Sequence, residues 1–263
     1  MKIVVFDVDE TLGYFAKLGV FWDCLLSYFK NKSLNKKDFG ALLDIFPEFL
    51  RPSIITILKY VKEQKQHNIC GRVMIYTNNQ GEKEWIQNIK DYFHEKLNYD
   101  LFDKIITAFK INGTRIELCR TTHNKCMKDF IKCTKMSANT ELCFIDDMYH
   151  PHMTADNVYY IHIKPYRFDV SIEEMMKRVL LSSHFKQYIE NDDEFKAHML
   201  TTFAEFNYVE IKKSRQEYEM DRIVGKKILE HLKLFFRDSD NKTHKKCITN
   251  INKNKTLKIK HKK

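Results

Sequence analysis

The sequence predicts an α/β fold, a parallel sheet flanked by helices, on three observations. Short apolar, β-branched runs recur along the chain and alternate with longer segments whose apolar residues fall at helical spacing. Several of the short runs stop at residues able to hold a phosphate or a metal ion, as parallel strands do when their carboxyl ends face a site. The 263 residues include only seven Gly and four Pro, too few for the many tight turns of a sandwich or barrel.

The elements follow in order. Lys2–Phe6 (KIVVF) reads as a buried parallel strand that stops at Asp7-Val8-Asp9-Glu10-Thr11. Residues 21–29 and 39–50 carry apolar residues at helical spacing. Residues 53–64 follow an Arg51-Pro52 start, with Ile54, Ile55, Leu58 and Val61 on one stripe. Residues 72–76 (RVMIY) form the next strand, ending at Thr77-Asn78-Asn79, and residues 82–97 an amphipathic helix with Trp85, Ile89 and Phe93 inward. Further strands are expected at 104–109, at 142–145 (LCFI) before Asp146-Asp147, and at 158–163 (VYYIHI). Residues 172–237 are helical in pattern, with a long helix through Tyr218, Ile228, Leu232 and Phe235, and no internal repeat is present.

With 43% hydrophobic and 13% aromatic residues the chain can bury a core, which excludes wholesale disorder. No apolar run reaches the ~18 residues of a membrane span, and the N-terminus runs directly into charged residues. The expectation is an intracellular protein of cytoplasm or nucleus, without a signal peptide or a membrane partner. Residues 241–263 hold nine lysines and no acidic residue, so removing those nine from the net +10 leaves +1 for the preceding 240 residues. Such a tail cannot offset its ordering entropy and is expected to be disordered. It could serve solubility, or contact nucleic acid, an import receptor or an acidic partner. The seven cysteines show no CxxC pair and are expected to be reduced structural thiols. Cys119, His123 and Cys126 lack the paired spacing of a zinc site.

In a parallel α/β sheet the residues just beyond the strands converge where ligands bind. Asp7, directly after a buried strand, is a candidate nucleophile toward phosphorus, and Asp9, two residues on, the candidate acid/base. A carboxylate attacking a phosphate dianion meets charge repulsion, so a divalent cation is required. Asp146 and Asp147 offer the hard oxygen ligands that suit Mg²⁺. Thr77 and Asn78 can hydrogen-bond phosphoryl oxygens, and a lysine must neutralise what the metal does not. Lys128 is the candidate, with Lys125 its local rival.

The order Asp7-Val8-Asp9-Glu10-Thr11, Thr77, Lys128 and Asp146-Asp147 resembles the four motifs of the haloacid dehalogenase (HAD) superfamily. More narrowly it resembles the branch of RNA polymerase CTD phosphatases and NLI-interacting-factor-like phosphatases. That likeness rests on the DVDETL start, Arg51-Pro52 before strand two, Lys128-Asp129-Phe130, FIDD, and Thr154-Ala155-Asp156-Asn157 before Val158. The resemblance covers residues 1–180. It implies a HAD-like, Rossmannoid sheet and a phosphatase that works through an aspartyl-phosphate. Asp7 would be the nucleophile and Asp9 the acid/base with its backbone carbonyl on Mg²⁺. Asp146 and Asp147 would also hold the metal, Lys128 would be catalytic, and Thr77 and Asn78 would bind phosphate.

The chain departs from that branch between residues 13 and 50, where helical segments replace a β-rich insert. The expected organisation is a phosphatase domain over 1–180 with the helical insert at 13–50, a helical extension over 181–238, and a basic tail over 239–263. The expected substrate is a phosphorylated protein. Thr77-Asn78-Asn79-Gln80-Gly81 also resembles the Thr-Asn-Gln-x-Gly of polynucleotide 3′-phosphatases, which with the basic tail gives a second reading. A non-catalytic binding protein that retains the fold is the third.

Overall fold

The computed structural model describes residues 1–30, 34–81, 83–237 and 249–250. In chain order the first half comprises β1 (Lys2–Phe6), α1 (Ala16–Tyr28), α2 (Lys36–Ile45), a 3-10 turn at Pro47–Phe49, α3 (Ile54–Gln66), β2 (Cys70–Tyr76) and α4 (Lys83–Leu97). Then come β3 (Lys104–Ile106), a hairpin of β4 (Lys110–Ile111) and β5 (Thr114–Arg115), α5 (Met127–Thr134), β6 (Glu141–Asp146), a 3-10 turn at Pro151–Met153 and β7 (Val158–His162). The C-terminal part adds α6 (Ile172–Leu181), α7 (Ser183–Lys186), α8 (Asp192–Glu205), α9 (Arg215–Arg237) and β8 (Thr249–Asn250).

Five strands form a parallel sheet in the order β3-β2-β1-β6-β7, with the two residues of β8 parallel to the outer edge of β7. The sheet is Rossmannoid and flanked by helices. β1 is buried throughout, which requires partners on both edges and cover on both faces. From β1 the chain moves to β2 and β3 on one side, then returns to lay β6 and β7 on the other. The strand order therefore reverses at β1, and the crevice at such a reversal is where ligands bind in open α/β sheets.

Alternation along the strands sorts the side chains into two layers. Val4 and Phe6 of β1, Val73 and Ile75 of β2, and Cys143 and Ile145 of β6 enter the larger core. That core also takes Phe21 from α1, Leu42 from α2, Phe195 from α8 and Val224, Ile228 and Leu232 from α9. The helices after residue 180 thus share one apolar core with the sheet: α8 packs on α1, and α9 on α3 and β7. Ile3 and Val5, Met74 and Tyr76, and Leu142 and Phe144 face the other side, under Phe130 and Cys133 of α5. No described helix is long and apolar enough to cross a membrane.

Several boundaries differ from the expectations. The strand expected at 104–109 stops at Ile106, and the chain then turns through Asn112 (φ 48°) and Gly113 (φ 81°) into the hairpin. Asn-Gly is the pair that tolerates positive φ at both central turn positions. The segment 127–134, assigned no element from the sequence, is α5, its first turn capped by Cys126, whose Sγ accepts from the Asp129 N–H at 3.4 Å. The helical pattern of 172–237 is broken at Ser182 and Asn191, both flanking caps, and again over 206–214. Residues 13–50 hold α1, α2 and the first 3-10 turn. Of the basic tail only Thr249–Asn250 is described; the rest, with the expected disorder and Cys247, lies outside the described residues.

The expectation of reduced cysteines fails at one pair. Cys119 and Cys133 form a disulfide, because the loop entering α5 returns alongside the end of that helix and brings their Cα atoms to 5.0 Å. Cys24, Cys70, Cys126 and Cys143 are free thiols.

Candidate active site

The sheet register assembles the site. Phe6 lies opposite both Ile75 and Ile145, so the next residues on the three strands, Asp7, Tyr76 and Asp146, stand level at the carboxyl edge. The backbone N–H of Asp7 donates to the Ile145 carbonyl at 2.9 Å, which fixes that level. Odd residues of β1 and even residues of β6 share the face beneath α5, which puts the Asp7 and Asp146 side chains on the same side of the sheet.

Between them stands Lys125. Its Nζ donates to Asp7 Oδ1 at 2.5 Å and to Asp146 Oδ2 at 2.7 Å, with all three residues buried. The lysine sits above the rings of Tyr76 and Phe144, which exclude water from the pair of ion pairs. Lys128, the candidate from the sequence, is exposed in the first turn of α5, where it borders a shallow pocket with Thr121, Asn124 and His152. The placement has a plain geometric reason: Asp129, Phe130, Cys133 and Thr134 are the buried positions of this helix, and Lys128, Lys132 and Lys135, at i, i+4 and i+7, lie on its solvent side.

Ligand oxygens of Asp7, Asp146 and Asp147 lie within 4.8 Å of one another, all buried. Thr11 ties the last of these to the β1 loop: its Oγ1 donates to Asp147 Oδ1 and accepts from the Asp147 N–H, each at 3.1 Å. Asp9 stands apart from this trio, since its Oδ2 accepts from Asn79 Nδ2 at 2.8 Å. Asn79 is itself held, its Oδ1 taking the Gly81 N–H at 2.9 Å and its own N–H donating to Thr77 Oγ1 at 3.0 Å. The buried Thr77 hydroxyl, with that lone pair engaged, keeps its proton to donate. Asn78 is exposed, and its Oδ1 is bound by Arg120 Nη2 at 2.8 Å.

Charge in the site is out of balance. Burial pushes the Asp7 carboxyl well above the usual range, against the pull of Lys125 and with Asp146 and Asp9 adding to the rise. Burial likewise raises Asp9, against the Asn79 hydrogen bond and Lys125. Asp147 is pushed up to about 6 by burial, then by Asp146 and Glu10. Asp146 alone is held low: burial would raise it, but Lys125 and His150 outweigh that. Lys125 is raised, its burial overcome by Asp146 and Asp7. One lysine thus serves four carboxyls. A trio of hard oxygen donors with uncompensated negative charge fits Mg²⁺, with Asp7, Asp146 and Asp147 as side-chain ligands.

Two buried arginines brace the loops. Arg120 Nη1 donates to the carbonyls of Thr77 (3.1 Å) and Thr107 (2.8 Å), and Nη2 to His123 O at 2.8 Å, which joins the end of β2 to the Lys125 loop. Arg51 Nε donates to Thr11 O at 2.6 Å and its Nη2 to Glu10 O and to Lys164 O at 2.9 Å. Burial pushes Arg51 down to about 10, against Asp221 and Asp147. Asn79, Thr11, Arg120 and Lys125 were given no role from their sequence positions beyond motif membership or rivalry. Asn79 and Thr11 stood inside the quoted motifs, and the lysine stripe of α5 could have singled out Lys125. Nothing local to Arg120 announced it. Set against known proteins, the chain is matched by no family model and by no curated protein.

Proposed function

We propose that this chain is a Mg²⁺-dependent phosphatase of the HAD type, hydrolysing a phosphomonoester through an aspartyl-phosphate on Asp7. The observation that carries the reading is the buried Lys125 bridging Asp7 and Asp146, beside Asp147, at the point where the strand order reverses. When bound, Mg²⁺ would supply the positive charge that lets a phosphate dianion approach the carboxylates. Asp7 attacks phosphorus in line, and as the bond to the leaving oxygen breaks, Asp9 gives that oxygen its proton. Burial shifts Asp9 upward, the direction that favours a group which gives up a proton in the reaction. Asp9 then takes a proton from water as the water attacks phosphorus, the Asp7–phosphorus bond breaks, and phosphate leaves. Lys125 and the Thr77 hydroxyl hold phosphoryl oxygens.

The substrate we favour is a phosphorylated protein, as in the CTD-phosphatase-like branch that the motifs resemble. The second reading, a polynucleotide 3′-phosphatase, is favoured by Thr77-Asn78-Asn79-Gln80-Gly81 together with the basic tail. Turnover of a small aryl phosphate with and without Mg²⁺ tests the activity. Asp7→Asn is expected to abolish it, because an amide is no usable nucleophile toward phosphorus. Turnover by that variant at the rate of the unaltered chain would remove the covalent mechanism. Absence of turnover by the unaltered chain would leave a binding protein.

A further inference from the structure

The stretch that carries Lys125 is exposed at Thr121, His123 and Asn124, and three kinds of contact anchor it. Arg120 holds the Thr77 and Thr107 carbonyls, and Thr121 donates to Asp129. The third contact is covalent: Cys119, just before the stretch, is joined to Cys133 near the end of α5. Cys133 is a fixed post, since it is buried with Phe130 against the sheet and its carbonyl accepts from Lys104 Nζ of β3 at 2.6 Å. Lys125 therefore sits inside a ring that the sulfur bond closes. The two sulfurs differ in access, because Cys119 is part-exposed and Cys133 is buried. Glu117 Oε1 stands 3.0 Å from Cys119 Sγ, where it can accept the S–H that reduction would create.

We infer that the Cys119–Cys133 bond is a redox-sensitive clasp: a dithiol reductant opens it, frees the loop and loosens Lys125 from Asp7 and Asp146. That turnover then falls rests on the phosphatase reading above; the release of Lys125 does not. A thiolate of the dithiol attacks Cys119 Sγ, the reachable sulfur, to form a mixed disulfide, and the Cys133 thiolate it expels takes a proton. The second thiol of the reductant then displaces Cys119 as a thiol, so the reductant leaves as a cyclic disulfide and the chain gains two S–H groups. A cross-link restricts the conformations open to the loop it closes. With the bond gone, Lys125 is kept in place by hydrogen bonds and its own ion pairs alone. Cys126, between Lys125 and α5, is a free thiol and serves as the control.

The test uses the full chain with Mg²⁺, oxidised with glutathione disulfide and then either kept so or reduced with dithiothreitol that is removed without air. An amine-reactive acetyl ester labels the lysines, and the ratio of label on Lys125 to label on the exposed Lys128 is read within one molecule. On reduction that ratio is expected to rise and kcat/KM for a small aryl phosphate to fall, each by roughly tenfold, less than the ~10²-fold that an ångström of misplacement can cost. Both should return on reoxidation. Cys119→Ser should give the reduced values under either treatment, and Cys126→Ser should respond as the unaltered chain does. Failure of glutathione disulfide to join Cys119 to Cys133, or a labelling ratio unmoved once mass spectrometry shows the bond open, would overturn the clasp. So would an unchanged kcat/KM in an active chain whose Lys125 has become reactive. No aryl phosphate turnover in either state, with the labelling ratio still rising, would sink the phosphatase reading and leave the clasp standing.

Discussion

Lys125 and Lys128 are three residues apart, and the start of α5 separates their fates. Lys125 lies in the loop before the helix, where a side chain can reach back over the carboxyl ends of the strands. Lys128 lies inside it, on the face opposite Phe130. Lys125→Ala is therefore expected to lower turnover by ~10²-fold or more, since it strips the charge that faces Asp7 and the phosphoryl group. Lys128→Ala should stay within about twofold, as exposed substitutions do. Parallel kcat/KM values for the two variants check this, and the reverse pattern would shift the motif by three residues. Asn79 acts through Asp9, holding its carboxylate at 2.8 Å. Asn79→Ala should slow an ester with a poor leaving group by roughly tenfold or more, and one with a good leaving group much less, because only the former needs the proton. Equal losses on both esters would mean that Asn79 merely supports the fold.

Among the elements, the loop before α5 decides whether Lys125 is in place, and it is clasped twice. Asp129, buried in the helix, accepts the Thr121 N–H and hydroxyl, each at 2.8 Å, and the Cys119–Cys133 disulfide closes the same stretch. Those hydrogen bonds hold the Asp129 carboxyl below its usual range against the burial that would raise it. Asp129→Ala is expected to cost about 1.5–3 kcal/mol by removing two hydrogen bonds to a charged acceptor, and to lower turnover with it. Thermal unfolding measured beside activity would show both. This loop was also the least legible part of the sequence. The strands were plain because KIVVF, RVMIY and LCFI are apolar after a leading Lys2 or Arg72 and stop at polar residues, and the aspartates of the candidate site could be placed from those ends. The segment 110–126 has no such period. Its hairpin was signalled only by Asn112-Gly113, and its disulfide and the Arg120 brace join residues that are distant in pattern though near in space. There the motif match points to Lys128, whereas the structure places Lys125 against Asp7 and Asp146 and Lys128 on the solvent face of α5.

Across the whole molecule, the C-terminal helices are coupled to the site by a close approach. A Cβ at Gly225 of α9 would meet the Pro52 carbonyl oxygen at 2.3 Å, and the neighbouring Arg51 holds the carbonyls of Glu10 and Thr11 in the β1 loop. Asp221, one turn earlier and buried, takes Lys164 at 3.4 Å and Lys213. Gly225→Ala should therefore destabilise the fold by about 1–3 kcal/mol through overpacking. It should also reduce turnover, although Gly225 contributes no side chain to the candidate site. An unchanged melting temperature would mean that α9 can shift without moving Arg51. The proposed reaction turns on a covalent bond to Asp7, and the most direct measurement traps it. The Asp9→Asn chain, slowed in the water step, is mixed with a ³²P-labelled aryl phosphate of good leaving group and Mg²⁺, quenched in acid and digested. A hydroxylamine-labile label on the peptide that contains Asp7 is expected. Label on another residue, or none while phosphate is released, would contradict it.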